Sequence, residues 1–419
     1  MRRRRRPRFT PTSPRSHEPG PLSARPVRHR PVPAVTAEGK TMHLRRPSSR
    51  LATTAVTAAA AATVTAALIS APFALANGRG DDSPHDSGST RLDHVFVIML
   101  ENHSKEGVIG DVNAPYITSL ADTYSVATHY YGVTHPSLPN YVATLSGSNW
   151  DVNNDDPNNR FDHTNLVDSL ENAHLTWGAY MEAMPANDKL TDYWPSESTK
   201  LYASKHNPFV LFDDIRNDPQ RMANVKPYTD LAGDLNSRYA PNFVFISPDQ
   251  CNDMHGGVYT PVVGYPETQH CGYGSANDDP NDAALKQNAD AFVKQAVTTI
   301  MSSRSWTRHS AIFIVADEGD YNSTASNGGW ATTEGCCDSP VVPAGAPDIN
   351  AAWPGGVYGG GLVPAIVIPG GNHPHHVVVD TPFNHYSLLR TVEDAFGLPE
   401  IGYSSDHVQV RTMDALLAH

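Results

Sequence analysis

Four short runs of consecutive, mostly apolar residues constrain the fold of this chain more than any other feature. They cover residues 95–100, 242–247, 311–315 and 363–368. Runs of this kind are typical of strands that are buried on both faces of a parallel sheet. Segments with helical periodicity, such as residues 282–303, lie between them. The alternation of strands and helices predicts an α/β fold with a largely parallel central sheet.

The first three of these predicted strands end in polar side chains that could bind a metal ion. In chain order the polar residues are Glu101, Asn102, Asn252, Asp253, His255, Asp317 and Glu318. In open α/β sheets the carboxyl ends of parallel strands converge on one edge, where binding sites lie. Carboxylate and amide oxygens suit a hard divalent cation better than a thiolate-bound zinc. We therefore expect one divalent metal ion at this edge of the sheet.

A serine at the start of a predicted helix is the candidate nucleophile. Ser137 stands directly before residues 138–145, which are predicted to form a helix with Ser137 as N-cap. An ordinary N-cap is the alternative, but a helix start also favours an anion. A metal in contact with Ser137 would prepare its hydroxyl for attack on phosphorus, with Asn140 offsetting phosphoryl charge. His255 and His385 could bind a phosphoryl oxygen or protonate the leaving alcohol.

The N-terminal part of the chain is predicted to lie outside the catalytic fold. Residues 1–41 are rich in Arg and Pro and are expected to be a disordered or untranslated leader. Residues 42–76 resemble an export signal with a basic start, an apolar run and an A-x-A cleavage site, although a membrane anchor is the alternative. Residues 77–92 form a flexible leader, and residues 93–419 form the catalytic domain. We expect a secreted protein with no stable membrane anchor after cleavage.

The charge balance argues against nucleic acid as a partner. The chain has 31 Lys and Arg against 44 Asp and Glu, a formal charge of −13. Residues 1–76 hold 14 of the basic and 2 of the acidic residues, so cleavage after Ala76 would leave a formal charge of −25. Phosphate backbones are bound mainly by Lys and Arg, so such a surface disfavours them. A phosphate ester substrate would need a local cation.

Four cysteines favour disulfides in an exported chain. They are Cys251, Cys271, Cys336 and Cys337. Four cysteines allow three pairings, and the pairing that joins the adjacent Cys336 and Cys337 is the least expected because it is strained. A metal site is less expected because no C-x-x-C pair is present.

Five motifs, taken in order, resemble those of a known family. They are Val97-Ile98-Met99-Leu100-Glu101-Asn102-His103-Ser104, Thr134-His135-Pro136-Ser137-Leu138-Pro139-Asn140-Tyr141, Cys251-Asn252-Asp253-Met254-His255, Asp317-Glu318-Gly319-Asp320 and Phe383-Asn384-His385-Tyr386-Ser387-Leu388-Leu389. They are similar to motifs of the bacterial phosphoesterase family of the alkaline phosphatase superfamily. That family contains secreted acid phosphatases and phospholipases C. The resemblance spans roughly residues 93–399.

The resemblance implies a fold and a role for each matching residue. The implied fold is the α/β/α sandwich of the superfamily. The implied metal ligands are Glu101, Asn102, Asp317 and Glu318. Ser137 matches the nucleophile, which also contacts the metal. The implied phosphate pocket is lined by His135, Asn140, His255 and His385. Ala316 and Gly256 depart from the family's usual residues, and both departures bear on the choice of substrate.

These observations together predict a secreted, metal-dependent phosphomonoesterase that works through a phosphoseryl intermediate. The expected substrate is a small phosphate ester or a phospholipid head group, such as phosphatidylinositol 3-phosphate. A phosphodiesterase of phospholipase C type is an alternative, for which aromatic residues between 193 and 212 could form an apolar lip. An inactive secreted binding protein is a further alternative. It would require damage at the nucleophile or the ligands, and the sequence contains none.

Overall fold

The structure is a computed structural model, and it describes residues 90–274, 280–320, 332–347, 349, 353–371 and 374–418. These residues belong to one compact unit, residues 80–419. The predicted leader and export signal, together with most of the segment 77–92, lie outside the described residues.

An eight-stranded sheet lies at the centre of this unit. The strands, in chain order, are β1 (His94–Leu100), β2 (Ser125–Ala127), β3 (Tyr130–Tyr131), β4 (Trp177–Met181), β5 (Tyr193–Trp194), β6 (Tyr202–Ala203), β7 (Val225–Pro227), β8 (Phe243–Ser247), β9 (Ser310–Ala316), β10 (Val341–Val342), β11 (Gly356–Val357), β12 (Ala365–Pro369), β13 (Val378–Val379) and β14 (Phe383–Asn384). The central sheet has the order β13-β2-β12-β9-β1-β8-β4-β7. Strand β12 is antiparallel to both of its neighbours, and the other pairings are parallel. The predicted α/β fold with a largely parallel sheet is confirmed.

Helices connect and cover the strands. They are α1 (Lys105–Val108), α2 (Pro115–Thr123), α3 (Ser137–Ser146), α4 (Leu166–Asn172), α5 (Asp213–Arg216), α6 (Pro219–Met222), α7 (Leu231–Leu235), α8 (Pro280–Met301) and α9 (His385–Phe396). Short 3-10 helices cover Ser204–His206, Pro208–Val210, Tyr228–Asp230, Pro266–His270, Gly402–Ser405 and Asp414–Leu417. Within the described part of the chain, no helix combines the length and the apolar character needed to cross a bilayer.

The four apolar runs form the buried strands that their composition predicts. They correspond to β1, β8, β9 and β12, and every residue of β8, β9 and β12 is buried. Strand β12 is the one run that no polar cluster follows in the sequence. Because it is antiparallel to β9, its carboxyl end lies at the opposite edge of the sheet. Its direction therefore explains why it contributes no polar cluster to the predicted site.

Two disulfides join the four cysteines, and their pairing corrects the sequence prediction. Cys251 is bonded to Cys271, and Cys336 to Cys337. The adjacent pair was the least expected one, yet it forms in a turn where Cys337 and Asp338 have positive φ angles of 57° and 66°. The strain of an adjacent pair can be judged from the sequence. The approach of Cys251 to Cys271 cannot, because it depends on the fold.

Candidate active site

Neighbouring strands bring the predicted metal ligands together at one edge of the sheet. Leu100 of β1 is in register with Ala316 of β9, so Glu101 and Asp317 lie one residue beyond this pair. The Asp317 amide donates to the Leu100 carbonyl at 3.0 Å. The Asn102 amide in turn donates to Asp317 Oδ1 at 3.2 Å. The predicted convergence of these polar residues is therefore present, while their role as ligands stays a prediction.

Strand β8 brings a further carboxylate to the same edge. The turn that follows β8 carries Asp253, and its carbonyl accepts a hydrogen bond from the Glu101 amide at 2.7 Å. Asp253 Oδ1 accepts from the His255 amide at 2.7 Å, so this residue also shapes its own turn. Glu101 and Asp253 are both completely buried. The two carboxyl groups thus share one buried environment.

The hydroxyl of Ser137 lies between two of these carboxylates. Ser137 Oγ is 2.9 Å from Glu101 Oε2 and 3.1 Å from Glu318 Oε1. Helix α3 begins at Ser137 with Pro136 as its N-cap, so the predicted N-cap position is wrong by one residue. Since Ser137 is the first helical residue and not the cap, its hydroxyl does not bind the helix backbone. It is available to the carboxylates.

Asn140 holds the loop that presents Ser137. Its Oδ1 accepts from the amides of Val133 and Thr134 at 2.9 and 3.0 Å, and its Nδ2 donates to the carbonyls of Thr134 and Pro136 at 2.7 and 3.1 Å. The side chain thereby ties residues 133–136 to the first turn of α3. The geometry makes Asn140 a positioning residue, and its predicted contact with substrate stays a prediction.

His135 and His385 both support carboxylate residues of the site. His135 Nδ1 contacts Glu318 Oε2, and its Nε2 is 2.7 Å from the carbonyl of Thr332. His385 Nε2 is 2.6 Å from the Asp317 carbonyl, and its Nδ1 is 2.9 Å from the Tyr130 hydroxyl. Burial lowers the pKa of each imidazole to about 4, so both are neutral near pH 7. His385 positions Asp317, and its predicted acid role stays a prediction.

The structure adds two residues that the sequence did not single out, Lys205 and His206. His206 Nε2 is 3.2 Å from Glu101 Oε1, and its Nδ1 is 3.4 Å from Asp253 Oδ2. The His206 ring is stacked on Tyr141 with the ring centroids 5.3 Å apart. No predicted strand precedes these residues, which lie in a 3-10 helix. The search for polar residues at the end of a predicted strand therefore could not identify them. The only sequence signal is a run of four polar residues, 204–207.

His206 completes a group that could hold a metal ion. Glu101, His206 and His255 each offer one ligand atom, and these atoms lie within 4.8 Å of one another. This mixed oxygen and nitrogen set differs from the predicted oxygen set and shares Glu101 with it. Burial, and then the charge of Lys205, lower the pKa of both imidazoles, to about 3 for His255, so both can offer a lone pair.

A lysine and an aspartate from segments distant in sequence lie beside these three residues. Lys205 Nζ is 2.7 Å from Asp155 Oδ2 and 3.2 Å from His255 Nε2. Asp155 Oδ1 accepts from the Leu138 amide at 3.0 Å, at the start of α3. Burial would lower the pKa of Lys205, but Asp155 and Glu101 outweigh it, so the pKa is raised and the ammonium is retained. Lys205 is thus a positively charged group beside Asp155 and His255.

The site holds more buried carboxyl groups than Lys205 alone could pair with. The pKa is raised for four buried carboxyl groups, those of Glu101, Asp253, Asp317 and Glu318. Burial is the largest cause for each, and neighbouring carboxylates add to it. For Asp317 the pKa rises to about 8, with Glu318 as the strongest charged neighbour. A cation bound here would reverse these shifts, because it would stabilise the ionised carboxylates.

Several polar atoms of the site have no hydrogen-bond partner among the described residues. They are Glu101 Oε1, Asn102 Oδ1, His206 Nε2, Asp253 Oδ2 and Asp317 Oδ2. Glu101 Oε1 and His206 Nε2 lie close together but lack hydrogen-bond geometry. Buried polar atoms without partners are costly and usually indicate an ion or water. Four oxygens and one imidazole nitrogen suit a divalent cation, so the residues present fit a metal ion.

Comparison with known proteins agrees with this architecture. A family model described as the Phosphoesterase family matches residues 112–399, which is well over half of the chain. The chain therefore belongs to the Phosphoesterase family. Glu101 and Asn102 lie just before the matched range, and the other predicted site residues lie within it.

The chain is also similar to named phosphatases. It is 25% identical to a phosphate-repressible acid phosphatase of Penicillium chrysogenum over 318 residues, which is 74% of this chain and 60% of that protein. It is 26% identical to a phosphatidylinositol-3-phosphatase of Mycobacterium tuberculosis over 314 residues, 75% of this chain and 80% of that protein. Matches to further fungal acid phosphatases span less than two fifths of those proteins.

The chain is also weakly similar to solved structures. One is a protein of the alkaline phosphatase superfamily from Vibrio parahaemolyticus, with 12% identity, coverage of 75% of this chain and 69% of that chain, and a TM-score of 0.43. A similarity of this size supports no statement about function.

Proposed function

We propose that this protein is a metal-dependent phosphomonoesterase that transfers the phosphoryl group of its substrate to Ser137 and then to water. The observation that supports this proposal most directly is the position of the buried Ser137 hydroxyl between Glu101 and Glu318. Beside it lie polar atoms that have no hydrogen-bond partner among the described residues. Membership of the Phosphoesterase family and the named phosphatase relatives support the proposal.

The residues of the chain divide the chemistry between them. Ser137 Oγ attacks phosphorus, the bond from phosphorus to the alcohol oxygen breaks, and a phosphoseryl group forms, while the departing alcohol oxygen takes up a proton from water. Glu101 or Glu318, both within hydrogen-bond distance, accepts the serine proton. Lys205 attracts the phosphoryl oxygens. Attack by water on the phosphoseryl group then releases inorganic phosphate and restores the serine.

A divalent ion would complete this site. Glu101, Asn102 and Asp317 offer unpartnered oxygens for it, and His206 offers a nitrogen. When bound, such an ion lowers the pKa of the serine hydroxyl and offsets charge on the phosphoryl oxygens. Asn140 and His385 fix the backbone around Ser137 and Asp317, so the nucleophile and the ligands are held in place before substrate arrives.

For the substrate we propose a phosphomonoester on a small molecule or on a phospholipid head group. Support comes from the relative named as a phosphatidylinositol-3-phosphatase, which the chain matches over 80% of its length. For the compartment we propose export. Two disulfides in the described residues support an oxidising environment.

The test uses mature protein stripped with a chelator and resupplied with single divalent ions. It is assayed on a phosphomonoester and, in parallel, on phosphatidylcholine. We expect metal-restored release of inorganic phosphate from the monoester. Release of phosphocholine alone would make the protein a phospholipase C, and inactivity on both substrates with every ion would contradict the proposal.

A further inference from the structure

One loop beside the candidate site carries strongly exposed apolar residues. Val263 is 98% exposed and Tyr259 is 72% exposed. Residues 256–266 include no Asp, Glu, Lys, Arg or His, although the chain as a whole has a formal charge of −13. A local stretch that is both uncharged and apolar on an acidic protein indicates an interaction surface.

This loop begins and ends at the candidate active site. It starts just after His255, and the disulfide between Cys251 and Cys271 closes its base. Val258 also pairs with Cys271 across the base, with its amide donating at 2.8 Å. The chain then returns to Tyr273, whose ring lies 5.7 Å from that of His255. The loop is therefore fixed beside the residues that we assign to the phosphate.

The tip of the loop has a defined conformation. The Tyr265 amide donates to the Val262 carbonyl at 3.1 Å, which places Val263 and Gly264 at the corners of a turn. The buried Thr268 braces this turn, since its Oγ1 accepts from the Val262 amide at 2.9 Å. A Cβ atom built on Gly264 would have no neighbour within 4 Å, so the tip stands clear of the protein. Val263 is thus held outward in a preformed turn.

The surroundings of the tip are also apolar. An open cavity of about 430 Å³ is lined by Pro261, Val262, Val263, Gly264, Tyr265, Pro266 and Gln269. The ring of Trp194 contacts that of Tyr265, with centroids 5.6 Å apart. Aromatic residues with one polar end are favoured at the boundary between lipid and water. Valine and proline between two tyrosines suit shallow insertion into such a boundary.

We propose that residues 259–266 form a lipid-contact loop that docks the protein on an electrically neutral membrane surface and so presents phosphorylated lipid head groups to Ser137. This inference rests on the proposed function. A neutral surface is favoured because a protein of this charge would be repelled by an anionic one, while the loop itself carries no charge to be desolvated. If the loop docks on the membrane beside His255, only the lipid head group has to enter the site to reach the buried Ser137.

The experiment compares Val263→Asp with Val408→Asp in the metal-loaded mature protein. Val408 is a matched control because it is a 73% exposed valine elsewhere in the chain. Binding is measured by co-sedimentation with pure phosphatidylcholine vesicles. Activity is measured on phosphatidylinositol 3-phosphate in those vesicles and on a dissolved phosphomonoester.

We expect Val263→Asp to lower vesicle binding and vesicle activity about tenfold, because a charge replaces an inserted apolar side chain. Activity on the dissolved monoester should stay unchanged, and Val408→Asp should behave like the wild type. If the wild type fails to sediment with the vesicles, or if both variants lose binding equally, the loop proposal is overturned. Failure of the proposed function is distinguishable, since it would appear as wild-type inactivity on the dissolved monoester.

Discussion

Two buried polar clusters adjoin the end of β1, and they differ in how their polar atoms are satisfied. In the first, the candidate site, five buried polar atoms have no hydrogen-bond partner among the described residues. In the second, which we call the His103 network, His103 contacts the Glu101 carbonyl at 3.1 Å and Asp282 at 2.8 Å. Lys286 then bridges Asp282 and Asp111 at 2.8 and 2.9 Å. Each of these polar side chains has a partner, so we call the His103 network the closed cluster. We call the candidate site, whose polar atoms lack partners among the described residues, the open cluster.

The comparison separates a structural cluster from a binding cluster. In the His103 network each carboxylate faces a cation or an imidazole, so nothing further is needed to keep it buried. In the candidate site carboxylates face one another, and their pKa values are raised by burial and by that crowding. Such a cluster is costly without a ligand. Changes in the two clusters should therefore affect different properties.

The largest expected effect concerns activity at the open cluster. Ser137→Ala should lower turnover of a phosphomonoester at least about a thousandfold, because the covalent step is lost. The unfolding midpoint in urea should change little. Ser146→Ala in the same helix is the control, since Ser146 is equally buried and, among the residues that the structure describes, bonds only to backbone and Trp150. An active Ser137→Ala protein would remove this residue as the nucleophile.

The next effect concerns stability at the closed cluster. Lys286→Met should lower the free energy of unfolding by about 3–5 kcal/mol, because Asp282 would be left buried with one partner fewer. Turnover per folded molecule should remain near that of the wild type. Lys294→Met, an exposed lysine in the same helix, is the control for urea unfolding. If Lys286→Met instead abolished activity in a stable protein, the division between the two clusters would be wrong.

Glu393 provides a third case, in which a buried carboxyl group has hydrogen bonds but no ion-pair partner in the described part of the chain. It accepts from Ser404 Oγ at 2.6 Å and from the Ile401 amide at 3.1 Å. Burial is the main cause that raises its pKa from 4.5 to about 8. Since the folded pKa is the higher one, its contribution to stability is complete below pH 4.5 and is lost as the pH rises through about 8.

Glu393→Gln should therefore flatten the fall in unfolding free energy between pH 5 and 8. The check is urea unfolding of the wild type and the variant at several pH values in this range. Because the group lies apart from the candidate site, the test is independent of metal. A variant that loses stability with pH as steeply as the wild type would contradict the assignment.

The smallest expected effect concerns Asp253. Its replacement should stabilise the protein without metal and should weaken the binding of metal. Asp253→Asn replaces one of the crowded buried carboxyl groups by a neutral amide, so at a pH at which this carboxyl group is ionised it should stabilise the chelator-stripped protein by about 1–2 kcal/mol. The same change should weaken metal binding and lower metal-restored activity. Thermal unfolding with and without metal measures both. Destabilisation of the stripped protein would indicate that Asp253 is satisfied in the absence of metal.

Much of the fold could be predicted because the signal is local. Continuous apolar runs identify strands buried on both faces, and the convergence of parallel strand ends then places Glu101 beside Asp317. The direction of β12 could not be read in the same way, since an apolar run does not indicate the sense in which a strand pairs.

The remainder of the site depends on contacts between segments that are distant in sequence. Lys205 and His206 reach it from a 3-10 helix, and Asp155 reaches it from a polar loop. Nothing in the local pattern of these segments indicates which distant residue they contact. The cysteine pairing has the same origin, because it depends on the path of the loop between Cys251 and Cys271.

The central claim is that the open cluster serves to transfer phosphoryl groups through Ser137. The most direct test is an acid quench of the metal-loaded wild type during turnover of a phosphomonoester, followed by peptide mapping with mass spectrometry. The account predicts a phosphate on Ser137 that disappears when substrate is exhausted and is absent from Ser137→Ala. An acid-quenched sample from active turnover that carries no phosphate on Ser137 would contradict it.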